Sequence, residues 1–183
     1  MRFLIFFFFI SLNAYSQNNY DKVIFNIISD ISEERIKDDI VTLANFGTRH
    51  TLSDTVSNER GIGAARRWIK KTFESISEDC NNCLEVFDQK NYFKKNNLRL
   101  IKDVWINNVV AIQRGSKYPN RYVLMSGDID SRVSDPNDFI SDSPGANDNA
   151  SGMAGTIEAA RVLSKHKFDN SIVYVGLSGE EQG

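Results

Sequence analysis

The sequence predicts an α/β domain of three layers, α/β/α, around a mixed central sheet. Three observations point there. Ile62, Ala65, Ile69, Phe73 and Ile76 recur at helical spacing. Two short apolar runs, Tyr122–Met125 and Ile172–Leu177, flank a helical pattern carrying Met153, Ile157, Ala160 and Leu163, which reads as strand–helix–strand. Carboxylates gather where those runs end: Asp128 and Asp130, then Asp148, then Glu180 and Glu181. An open α/β sheet builds its sites at such strand ends.

Size and composition fit one globular domain, with 183 residues, 41% of them hydrophobic, and a net charge of −2. No basic stripe or tail suits nucleic acid. Met1-Arg2, the apolar run Phe3–Leu12 and the small residues Ala14 and Ser16 form a secretory signal pattern, so residues 1–16 are excluded from the fold and the chain is expected to be exported to the periplasm or outside the cell. The run is shorter than the roughly 20 apolar residues a membrane span needs, so no stable membrane anchor is expected after cleavage.

Ile24, Ile27, Ile28 and Ile31 predict a helix over 21–31. Ser32 followed by Glu33 and Glu34 reads as an N-cap with acidic residues in the first turn, opening a second helix that runs to Gly47. In the long helix around Ile69, Arg66, Arg67, Lys70 and Lys71 are assigned to the solvated side. Cys80 and Cys83 are the only cysteines. A Cys-x-x-Cys pair is a redox centre, half a zinc site or a local disulfide. With no second pair, and in an exported chain, the loop disulfide is expected.

Beyond Cys83 the period changes. Leu84–Phe87 predicts a short half-buried strand, and Val104–Ile112 a second. Tyr122–Met125 is uniformly apolar, as in a strand covered on both faces. A helix is expected from Asn149, and Asn149-Ala-Ser151, formally a glycosylation sequon, is read as a helix cap. The sequence stops just after a buried strand, which suggests the N-terminal portion of a longer protein.

Carboxylates at two strand ends and one helix start suit divalent cations. A bound cation lowers the pKa of water from about 15.7 to about 7, and two of them hold both the attacking oxygen and the scissile carbonyl. Asp148 stands among Gly145, Gly152, Ala146, Ala150 and Ser151, which leave room for close approach. Neighbouring Glu180 and Glu181 point in different directions, so one can bind metal while the other moves protons.

Pro144-Gly-Ala-Asn-Asp-Asn-Ala-Ser-Gly152 with Gly179-Glu-Glu-Gln-Gly183 resembles the clan MH zinc peptidases, the bacterial aminopeptidase family with two co-catalytic zincs. Asn108–Gly115 and Gly47–His50 are similar to that family as well. The resemblance implies a zinc-peptidase fold, incomplete at its C-terminus, with residues 17–183 forming the N-terminal part of a catalytic domain. It implies hydrolysis of a peptide or protein substrate, through a water held between two divalent ions, most naturally zinc. By position Asp148 matches the bridging ligand, Glu180 the general base and Glu181 a ligand to one zinc. Where the family has His-x-Asp, this sequence has Asp128-Ile129-Asp130, so Asp128 is expected to ligate as an anionic oxygen and Asp130 to stand behind it. Arg132 or the metal is expected to offset the crowding of Asp130 with Asp128. His50 and His166 are not expected to bind the catalytic metal. The family's remaining ligands would lie beyond Gly183.

Three rival readings remain. Asp128-Ile129-Asp130 is also the form of a glycosyltransferase Asp-x-Asp, but that leaves Asp148 and the Glu pair unexplained. A glutaminyl cyclase uses one zinc on a similar scaffold. An inactive binding domain would retain the fold without the metal.

Overall fold

The computed structural model describes residues 22–96 and 98–183. The expected signal segment lies outside them, as does the first residue of the helix expected over 21–31. Two units are distinguished, residues 1–31 and 32–183. In the first, the described part is a helix, α1, over 22–29, with Val23, Ile24, Phe25 and Ile28 exposed.

The second unit begins with α2 (Glu33–Ala44), whose Ser32 cap accepts from Arg35 N–H at 3.2 Å. The long helix α3 (Gly61–Asp79) follows, then β1 (Leu84–Phe93), β2 (Val104–Gln113), β3 (Tyr118–Asp128), α4 (Ser151–Leu163) and β4 (Asn170–Leu177). Strand order is β1-β2-β4-β3, antiparallel except for the parallel β3/β4 pair. The sheet is therefore mixed, as expected. The β3–α4–β4 crossover supplies its parallel part, because parallel neighbours need a long connection.

The core lies between one face of the sheet and α3 and α4. Val109, Ala111, Ile172 and Tyr174 from the strands meet Ile62, Ile69 and Phe73 of α3 and Met153 and Ile157 of α4. Among the described residues of the second unit no helix covers the other face, where Phe87 and Leu124 are exposed. This accounts for one departure from the sequence reading. Tyr122, Val123 and Leu124 were expected under cover on both faces, yet they are 53%, 52% and 63% exposed, because β3 is the edge strand. β1 also runs past the expected break at Phe87-Asp88. Its ladder with β2 continues to Phe93, held by backbone pairing after the apolar alternation has ended.

Arg66 departs as well. Arg67 and Lys71 are exposed, but Arg66 is buried, 7% exposed, one turn from Ile62 and Ile69. Cys80 and Cys83 form a disulfide at the end of α3, around Asn81 and Asn82 in left-handed conformation. So short a loop removes little unfolded-chain entropy. Reduction is expected to lower stability by about 2 kcal/mol at most, as read by urea unfolding with and without a reductant.

α2 is fastened to α4 by charge. Glu158, 2% exposed, accepts from Arg35 Nε at 3.0 Å, Arg35 Nη2 at 2.5 Å and Ser32 N–H at 2.8 Å, and Arg161 bridges it to Asp39. Burial alone pushes the Glu158 carboxyl up, but these donors outweigh it and hold it below the usual glutamate range. A depressed folded-state pKa gives stability that is present above the unfolded value of about 4.3 and lost as pH falls through the folded value. Glu158→Gln is expected to cost about 2 kcal/mol at neutral pH, because it weakens the charge-assisted bonds from Arg35 and Ser32 while Arg161 keeps Asp39, and to flatten acid unfolding below pH ~4.3. Denaturant melts across pH check both.

Candidate metal centre

β3 and β4 run in parallel, so their C-terminal ends open on the same edge of the sheet, with Asp128 paired in register with Leu177 and Ile129 N–H donating to Leu177 O at 2.6 Å. Asp128 and Asp130 leave from one strand and Glu180 and Glu181 from the other. Asp148 comes from the N-terminal approach to α4, which starts at this edge. The topology thus brings the three acidic segments together.

Asp148 lies not in the helix but in a π-type turn, Ala146–Ala150, with φ −115° and ψ 101°. α4 begins at Ser151, two residues later than the sequence suggests. Gly145 makes the turn possible. Its φ is +47°, and a Cβ there would stand 2.5 Å from Asp148 O and 2.6 Å from Ser131 Cβ. Asn149 caps the helix, its Oδ1 accepting from Gly152 N–H at 2.9 Å, while its Nδ2 donates to Asp128 Oδ2 at 2.9 Å. One side chain therefore ties the Asp148 turn to the end of β3.

Gly179, at φ +94°, turns the chain out of β4 into a short 3-10 turn, Glu180–Gln182. Glu180 is exposed, and its carboxyl is raised above the usual glutamate range. The causes are partial desolvation and then the negative charges of Glu181, Asp128, Asp130 and Asp148. Glu181 is turned the other way, its Oε2 accepting from Arg132 Nε at 2.5 Å. Arg132 therefore offsets Glu181, not Asp130 as expected. Asp130, 1% exposed, accepts instead from Thr51 Oγ1 at 2.6 Å and from Glu181 N–H at 3.2 Å, so it positions the Glu181 backbone. Burial still raises its carboxyl above the usual aspartate range.

Two residues not assigned a role from sequence hold this frame. Arg49, 1% exposed, donates Nε to Ile129 O at 2.7 Å, Nη1 to Leu43 O at 3.0 Å and Pro144 O at 2.6 Å, and Nη2 to Gly145 O at 3.0 Å. It joins α2, the end of β3 and the Asp148 turn at one point. Its only sequence signal is its place in Gly47–His50. His50 is fully buried. Its Nδ1 accepts from Leu52 N–H at 3.0 Å, which leaves the proton on Nε2, 3.0 Å from Pro136 O. Gln182, in the turn that carries the Glu pair, lies against the same edge of the ring, its side-chain amide nitrogen 3.0 Å from Nε2, so the buried imidazole packs beside that turn. His166 lies at the opposite end of the sheet, its carbonyl accepting from Gln113, the last residue of β2.

The residues fit a divalent cation in charge and in donor chemistry. The charges of Glu181, Asp128, Asp130 and Asp148 all raise the Glu180 carboxyl, and Asp148 has neither a side-chain hydrogen bond nor an ion pair among the described residues. They do not form a closed shell. Among the described residues, no three His, Cys, Asp or Glu side chains are gathered closely enough to hold a metal ion. Arg132 draws Glu181 aside and Asn149 holds Asp128.

Residues 108–183 match peptidase family M28. A probable zinc metalloprotease of Pyrenophora teres f. teres is 42% identical over 165 residues, covering 89% of this chain and 35% of that protein. One from Pyricularia oryzae is 39% identical over 156 residues, covering 85% of this chain and 31% of its own. The chain thus spans about a third of the length of these relatives. Among solved structures, a leucine aminopeptidase precursor from Bacteroides thetaiotaomicron superposes with a TM-score of 0.63 at 16% identity, over 82% of this chain and 48% of that one. A glutaminyl cyclase from Fimbriiglobus ruber gives the same TM-score and identity, over 82% and 46%. These two likenesses establish the fold alone.

Proposed function

We propose that this chain, whose residues 108–183 match peptidase family M28, is part of an exported, zinc-dependent peptide hydrolase of the aminopeptidase type in which Glu180 is the general base. The observation that carries this reading is the position of Glu180, exposed at the C-terminal edge of the parallel strands among four further carboxylates. Asp148, Glu181 and Asp128 would hold two divalent ions, most naturally zinc. The ions supply a water acidified towards neutral pH and a polarised carbonyl when bound. The chain's own residues do the rest. Glu180 takes the proton from the attacking water and returns it to the leaving amine nitrogen, so one carboxylate serves as base and then acid. Asp130, through Glu181 N–H, and Arg132, through Glu181 Oε2, fix where Glu181 stands. An oxygen-only set at Asp128, in place of imidazole, widens the range of divalent cations accepted. Export is supported by the signal-like N-terminal sequence and by the Cys80–Cys83 disulfide, which suits an oxidising compartment.

The test uses the zinc-loaded protein and a peptide with N-terminal glutamine, with products identified by mass spectrometry. A freed N-terminal amino acid is expected. A cyclised N-terminus with the chain otherwise intact would move the assignment to a glutaminyl cyclase. No product of either kind, with zinc bound, would leave a binding domain. Without metal, Glu180 is expected to titrate above the ordinary value of about 4.3 and to move down when a divalent cation is added, as followed by carboxyl NMR shifts.

A further inference from the structure

A second polar feature lies beside this edge. A cavity of about 810 Å³ opens between α3 and the strands β1 and β2. Arg66 lines it and is 7% exposed. Its single hydrogen bond among the described residues is from Nε to Ser178 Oγ at 3.3 Å, and Nη2 is buried with no partner. A guanidinium carries five donors, and a buried donor left unmatched is costly, so this side chain calls for an acceptor. Removal from water lowers its pKa to about 10 against the opposing charges of Asp130 and Asp88, and among the described residues no carboxylate forms a salt bridge with it.

The lining is cationic on balance, with Arg67, Lys70, Lys90 and Lys102 beside Arg66 against Asp88 and Asp103. Of the two carboxylates in the wall, Asp88 is paired with Lys70 at 2.6 Å, and Asp103 accepts from Tyr92 Oη at 2.5 Å and Lys95 N–H at 2.9 Å. Lys90 and Lys102 also face the cavity, and neither has a salt bridge among the described residues. Trp105, 59% exposed and tilted against Tyr92 at 5.2 Å between ring centroids, gives the wall an apolar patch. Cations beside an aromatic surface suit an anion carried on an organic body, since guanidinium pairs with carboxylate in a two-pronged fashion and the indole covers the carbon skeleton.

The cavity also borders the candidate metal centre. Ser178, which receives Arg66, stands two residues before Glu180, and Thr51, in the cavity wall, donates to Asp130. We propose that this cavity is a subsite for a carboxylate-bearing side chain of a peptide, with Arg66 as the residue that receives the carboxylate and Lys90 and Lys102 as the charges that draw it in. That the ligand is a peptide rests on the hydrolase reading above. That it is anionic rests on the cavity alone.

The test is equilibrium binding to the full chain, read by tryptophan fluorescence and calorimetry and requiring no turnover. The probes are acetyl-Ala-Glu-Ala-amide, its Gln counterpart and inorganic phosphate. The Glu peptide is expected to bind at least about tenfold more tightly than the Gln peptide, since an ionic hydrogen bond is worth about 1.5–3 kcal/mol. Arg66→Gln should erase that difference. Should Arg66→Gln fail to fold, the surface pair Lys90→Gln with Lys102→Gln keeps the test open and is expected to weaken the Glu peptide alone. Equal binding of the two peptides, or phosphate binding where the Glu peptide does not, overturns the proposal. Because binding is read without hydrolysis, an inactive protein that still distinguishes the peptides leaves the subsite standing and removes only the hydrolase reading.

Discussion

Glu180→Gln is expected to lower peptide hydrolysis by a factor of about 10³, within the range for loss of a positioned general base, and to leave zinc affinity unchanged. The amide keeps the size and shape of the carboxylate but accepts no proton. The 3-10 turn that presents it is set by Gly179, Asp130 and the His50–Gln182 contact, none of which involves the Glu180 side chain. The turn should therefore survive the change. Rate measurements at saturating zinc, with calorimetric zinc binding alongside, separate the outcomes. Loss of both rate and zinc affinity would make Glu180 a ligand, and retention of rate would remove it from the reaction.

Arg49→Leu is expected to destabilise the protein by about 4 kcal/mol, as for other changes that break a buried, fully bonded polar centre. Four donated hydrogen bonds vanish at once, and the carbonyls of Ile129 and Pro144 lose their donor, while Leu43 O keeps Phe46 N–H and Gly145 O keeps Ala150 N–H. Arg49→Lys should recover little, because one ammonium cannot span carbonyls arranged for a planar fork. The loss falls on the turn that carries Asp148, so metal affinity should drop together with stability. Urea unfolding of both variants checks this. A change below about 1 kcal/mol would mean that the turn is held by other contacts.

Much of the fold could be read from periodicity. The apolar spacing in α3 and α4 and the apolar runs of β2 and β4 place the core, because burial of one face leaves its period in the sequence. β3 misled the reading, since Tyr122, Val123 and Leu124 are as apolar as a covered strand and nothing local reveals that, among the described strands, β4 alone pairs with β3. Arg66 misled it for the opposite reason. Its cationic head suggested solvent, while its place one turn from Ile62 and Ile69 decided that it be buried. For the site, the acidic residues could be picked out as strand-end carboxylates. Their partners could not, because Arg132 with Glu181, Thr51 with Asp130 and Arg49 with the Asp148 turn join residues that are distant in sequence. Only the folded chain brings them together.

The account depends on Asp148, Glu181 and Asp128 sharing cations at the edge where β3 and β4 end. Diffraction from zinc-loaded crystals, recorded at the zinc absorption edge, tests it most directly. The expected result is an anomalous peak within about 2.0–2.2 Å of carboxylate oxygens of Asp148 and Glu181, with Arg132 displaced from Glu181. A zinc peak elsewhere, or none with the Arg132–Glu181 pair intact, would contradict it.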